Sequence, residues 1–189
     1  MNLYKIWTVH IRMWSPREIR VFAILFALVV LFLCRLVKRH KMNCRQAVAG
    51  GILFLFLGLV YASTVFTRGI IPRDYKLVPF WSWRHIFRTG DLGLLQENIL
   101  NGILLFPMGI LLPVIAGHKV KPGIAFGMGL AVSAFIECSQ LIFMRGTFEW
   151  DDMIHNAVGC MLGCIVTNVV GRSLKLLTRN REDYGNEDN

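Results

Sequence analysis

Residues 21–34 read Val21-Phe-Ala-Ile-Leu-Phe-Ala-Leu-Val-Val-Leu-Phe-Leu-Cys34, an apolar run without a charge, and Arg35, Lys38, Arg39 and Lys41 close it. With its flanks, about Arg20 to Val37, the stretch approaches the roughly 20 apolar residues that a helix needs to cross a bilayer. Cations packed against the end of an apolar run are what membrane orientation demands. A secretory signal would end in small residues at a cleavage site, whereas Arg35 stands there, so the run is expected to be retained.

Four further stretches follow the same rule, at about residues 47–66, 98–116, 123–143 and 153–171. The whole composition agrees. Of 189 residues, 54% are hydrophobic and 17% charged, and the mean hydropathy is +0.50. These values exclude a soluble globular domain and a disordered chain. The dispersed cysteines also argue against a disulfide scaffold. A net charge of +9 would point to nucleic acid in a soluble protein. Beside membrane spans it serves orientation and anionic headgroups, so membrane lipids and no nucleic acid are the expected partners.

The fold class that follows is all-α, a polytopic transmembrane helical bundle of about five spans. Residues 1–18 form an expected N-terminal amphipathic interfacial helix, with Leu3, Ile6, Trp7, Ile11 and Trp14 at helical spacing and Pro16 breaking the pattern. Residues 19–172 hold the spans, and 173–189 form a polar cytoplasmic tail. Arg68 to Glu97, with Tyr75, Phe80, Trp81, Trp83 and Phe87, is expected to be an aromatic-rich interfacial loop between spans two and three. Pro107 and Pro113 should bend span three. No internal repeat suggests a paired transporter architecture.

Five spans place the N-terminus and the loops after spans two and four on one side, A. The loops after spans one and three and the C-terminus share the other side, B. Basic residues divide almost evenly, but those on B crowd the span ends: Arg35, Lys38, Arg39, Lys41, Arg45, Lys119 and Lys121. Side B is therefore expected in the cytoplasm and side A outside.

Polar residues inside the spans carry the functional signal, because a central Asp costs about 2.5 to 3.5 kcal/mol to insert. Ser133, Glu137 and Gln140 share one face of span four at i, i+4 and i+7. Asp152, Asn156, Gly159 and Gly163 share one face of span five, and Asn98 and Asn101 open span three. Alternating span directions bring all of these to side A. Glu137 precedes Arg145 by about 12 Å of helix at about 1.5 Å per residue, which puts its carboxyl below the surface. Arg145, Glu149, Asp151 and Asp152 would roof the resulting pocket. The glycine pairs Gly159/Gly163, Gly123/Gly127 and Gly102/Gly109 are expected to let helices approach closely. Cys138, Cys160 and Cys164 show no zinc-site spacing, so they read as small apolar residues, and no metal or cofactor is implied.

The succession Leu77-Val78-Pro79-Phe80, Asn101-Gly-Ile-Leu-Leu-Phe-Pro107-Met-Gly109 with Pro113, Ser133/Glu137/Gln140, and Arg145-Gly-Thr-Phe-Glu-Trp-Asp151-Asp152-Met-Ile-His-Asn156 with Gly159 and Gly163 resembles the VanZ-like membrane protein family over about residues 75–165. Two positions depart from its pattern: Lys76 where Asn is frequent, and Glu149 where Asp is usual. The resemblance implies a multi-pass bacterial cell-membrane protein. Its founding member is associated with low-level resistance to the glycopeptide teicoplanin, and no reaction comes with the family.

Four functions compete on these residues. A cell-envelope binding or modulating protein would engage a polar headgroup, a cell-wall lipid precursor or a lipoglycopeptide with Asn98, Asn101, Ser133, Glu137, Gln140, Arg145, Glu149, Asp151, Asp152 and Asn156, and Arg145 could pair a phosphate. An intramembrane enzyme on a lipid-linked substrate would use Glu137 with Asp151 or Asp152 as acid and base, and Asn101 or Asn156 as donor to an oxyanion. Structural glue is weakly motivated, since interhelical polar bonds average about 0.6 kcal/mol. A proton-coupled transporter lacks a titratable chain across the full thickness.

Overall fold

The computed structural model describes residues 15–187, with side chains described through Gly171. The amphipathic segment expected before Ser15 lies outside the described residues. Helix α1 is Pro16–Lys38, and it begins earlier than expected because Pro16 starts a helix instead of breaking one. Ser15 and Glu18 form a reciprocal capping box, with the Ser15 amide donating to Glu18 Oε2 at 2.8 Å and the Glu18 amide to Ser15 Oγ at 3.3 Å.

Helix α2, Cys44–Tyr61, runs into a π-helical turn, Ala62–Phe66. The segment expected as a loop is folded. It contains the two-residue strand β1, Tyr75–Lys76, and the amphipathic helix α3, Trp81–Thr89. Span three starts at Leu92, ahead of the expected Asn98, and breaks once: α4 is Leu92–Leu104 and α5 is Phe106–Ala116. The break sits at Leu105, just before Phe106-Pro107, while Pro113 is accommodated within α5. Helix α6, Pro122–Phe143, ends on Met144 in the left-handed conformation. Strand β2, Phe148–Glu149, pairs in parallel with β1 (Tyr75 to Phe148, Lys76 to Glu149). Helix α7, Trp150–Glu187, continues through most of the segment expected as a tail. Five of these units, α1, α2 with its π-helical turn, α4 with α5, α6, and α7 to Gly171, are long and apolar enough to cross a membrane. The chain is thus a polytopic all-α bundle.

Helix α7 is the central post, packed on α4, α5 and α6. The core joins Leu105, Met108 and Leu112 to Ala125 and Ile136 of α6 and Cys160 and Cys164 of α7. Both cysteines are fully buried as free thiols among apolar neighbours, whereas Cys138 is exposed. In lipid the apolar surface of one helix gains little from meeting another, so backbone proximity does the joining. A Cβ at Gly159 would collide with the carbonyl of Gly102, one at Gly109 with that of Cys160, and one at Gly163 with that of Phe106. The pair Gly123/Gly127 corrects the sequence expectation: open space surrounds both. On α6 the close approach belongs to Gly129, whose Cβ would come 2.7 Å from that of Cys160.

Gly159→Ala is therefore expected to destabilise the bundle by about 1–3 kcal/mol through overpacking, seen as a lower thermal unfolding midpoint in detergent. Gly123→Ala in the same assay should leave the midpoint unchanged.

Candidate functional site

The sequence already places the polar residues at the A end of the bundle, and the structure shows how each is held. Phe80 precedes α3 in the left-handed conformation, and α3 has no side-chain cap of its own. The cap comes from α7. Asp151 Oδ1 accepts from the Phe80 amide at 2.5 Å, and its Oδ2 accepts from the Ser82 amide at 2.9 Å and from Ser82 Oγ at 2.5 Å. A carboxylate satisfied by three donors at a helix N-terminus is a strong anchor. Asn98 Nδ2 of α4 donates to the same Ser82 Oγ at 3.0 Å. Asp151 and Asn98 are both buried; they fasten α3 over the bundle.

The strand pair fixes the other edge of this roof. Lys76 Nζ meets Glu149 Oε1 at 3.0 Å and lies 3.8 Å from the Trp81 ring centre, while Trp81 Nε1 donates to Glu149 Oε2 at 3.2 Å. Lys76 and Glu149, the two departures from the family pattern, thus neutralise one another. The Glu149 amide donates to Glu137 Oε2 at 3.0 Å, tying the end of α6 to β2. Glu137 is only 3% exposed.

Beneath the roof Asp152 lies within hydrogen-bonding reach of the Asn101 side chain. It also lies within electrostatic reach of Glu137 and Glu149 and of the Arg68 guanidinium. One turn deeper, Asn156 Nδ2 donates to Ser133 Oγ at 2.8 Å, and Asn156 Oδ1 is buried with no donor. Gln140 Nε2 donates at 3.0 Å to the Thr64 carbonyl, which the π-helical turn leaves available. Arg145, expected to pair a phosphate, donates through Nη1 to the Arg68 carbonyl at 2.5 Å. His155 Nε2 accepts the Trp83 indole N–H at 2.8 Å, which adds a second tie between α3 and α7.

Of the sequence-predicted residues, Asn101, Glu137, Glu149 and Asp152 converge; Ser133 and Asn156 form a pair below them; Asn98, Asp151, Gln140 and Arg145 serve as ties. Sequence reasoning missed Arg68, Ser82 and the partnership of Lys76 with Trp81. Arg68 had a signal, since buried acids require a facing cation. Among the described residues no group of three or more His, Cys, Asp or Glu side chains is arranged to hold a metal ion.

The model of the VanZ/LLP1 family matches residues 21–171. The chain belongs to the VanZ/LLP1 family. The match runs from α1 to the end of the apolar part of α7 and takes in the two N-terminal spans as well as the polar signature of residues 75–165. No curated protein and no solved structure matches the chain. The VanZ/LLP1 match therefore supplies membership, and the chemistry of the A end rests on its own geometry.

Asp151→Ala would strand the Phe80 and Ser82 donors. It is expected to cost about 2–4 kcal/mol and to accelerate tryptic cleavage at Arg84 and Arg88. Asp152→Asn, which leaves the α3 cap intact, should not change the cleavage rate.

Proposed function

We propose that this VanZ/LLP1-family membrane protein is a cell-envelope binding and modulating protein. Its A end faces the outside of the bacterial cell membrane and engages the polar headgroup of a cell-wall lipid precursor or a lipoglycopeptide such as teicoplanin. One observation carries the reading. Glu137 and Asp152 gather under the α3 roof, within electrostatic reach of one another and of Arg68, above the unpartnered Asn156 Oδ1. Glu149 is already paired with Lys76, so the acceptors left for a ligand favour a headgroup rich in hydroxyl, amide or ammonium donors. Buried acids bound only to keep helices together would be a poor return for their insertion cost.

The close carboxylates Glu137 and Asp152 also favour a second reading, an intramembrane enzyme acting on a lipid-linked substrate with these two as acid and base and Asn101 beside them. Asp151 drops from that role because Phe80 and Ser82 engage both its oxygens.

In cells expressing the chain, teicoplanin tolerance is expected to rise above the vector control. Glu137→Gln and Asp152→Asn, at equal membrane levels, should each return it to the control. Unchanged tolerance in both variants would sink the binding reading, and conversion of a purified lipid precursor that stops in Glu137→Gln would favour the enzyme. The orientation is checked with single cysteines in a thiol-free background. An impermeant reagent added to intact cells should label Thr147→Cys and spare Lys119→Cys; the reverse would move the site to the cytoplasm.

A further inference from the structure

A groove of about 1000 Å³ lies away from the acid cluster, on the other flank of α6, between α1, the end of α2 with its π-helical turn, and α6. Its walls are Phe22 and Leu25 of α1, Phe54 and Leu57 of α2, and Val132 and Phe135 of α6. Ile136 also lines it, while Glu137, next in the chain, turns to the acid cluster. The gap exists because α1 packs on α2 through the Phe22–Phe54 stack, with ring centres 5.8 Å apart, whereas α6 packs on α7.

Three features identify an occupant. First, the walls are apolar, and a cavity with room for about thirty waters but few polar partners does not hold them. Second, the depth matches one leaflet. From Ser15 at the mouth to Leu25 is about 15 Å of helix, half of a hydrocarbon core of about 30 Å. Third, Ser15, Arg17 and Glu18 line the mouth, so that Arg17 supplies a cation at the headgroup level.

From this we infer that the cavity is a lipid-binding groove, which holds the hydrocarbon tail of an anionic phospholipid from the A-side leaflet with its phosphate at Arg17. The site is separate from the acid cluster and does not depend on what that cluster binds.

The test uses the purified full chain in phosphatidylcholine nanodiscs containing a trace of phosphatidylglycerol with a photoactivatable group in its tail. Mass mapping should find adducts on Phe54, Leu57 and Phe135, displaced by unlabelled phosphatidylglycerol and not by phosphatidylcholine. Ala131→Trp, which fills the groove from an exposed position, should reduce these adducts to the level found on the outward-facing Leu28 and Leu31. Leu25→Trp fills it from the α1 side and serves should the first variant fail to fold. Arg17→Gln should lower the preference for phosphatidylglycerol about fivefold. Equal labelling of groove and outward faces, or adducts indifferent to both Trp variants, would overturn the proposal. So would cross-linking that places residues 1–14 of the same chain, or a second copy, in the groove. A preference unchanged in Arg17→Gln would overturn the headgroup contact.

Discussion

The carboxylate of Asp151 is the interaction on which the A end depends. It stands in the first turn of the central helix α7 yet caps a different helix, α3, from which Phe80 and Ser82 donate to it. Burying a charge in so apolar a chain is tolerable only when donors replace its water. Here they do, and the amphipathic segment between spans two and three becomes a fixed roof. Without that bond Trp81 would not be set against Glu149, nor Trp83 against His155, and Glu137 and Asp152 would lie under an open end.

The acids thus divide by task. Asp151 fastens, Glu149 is neutralised by Lys76, and Glu137 and Asp152 lie within electrostatic reach of Arg68. Below them, close backbone contact joins the helices beside polar bonds such as Asn156 to Ser133 and Thr167 to the Ile110 carbonyl. Carbonyls of one helix rest on glycines of the next at Gly109, Gly159 and Gly163.

Much of this was legible in the sequence. Long apolar runs need no partner to announce a span, so the five membrane-crossing units followed from length and hydropathy alone. The convergence of Asn101, Glu137 and Asp152 followed from helical periodicity and alternating span direction. What stayed hidden depended on contacts across the chain. Pro16 reads as a breaker unless Ser15 and Glu18 are seen to cap the helix behind it. Gly123 and Gly127 have the right spacing on the wrong face, since spacing gives periodicity without its phase relative to neighbours. Arg68 looked like one of several loop cations until the end of α6 was brought beside it.

The short parallel ladder between β1 and β2 joins Lys76 to Glu149 across 73 positions of chain. Between them lie spans three and four, and β2 leads straight into span five. During synthesis the roof segment must therefore wait, with its strand unpaired and its helix uncapped, until the fourth span has crossed and the fifth has begun to insert. The A end is the last part of the molecule to close. A chain released between the end of α6 and Asp151 carries four spans but an unfastened roof.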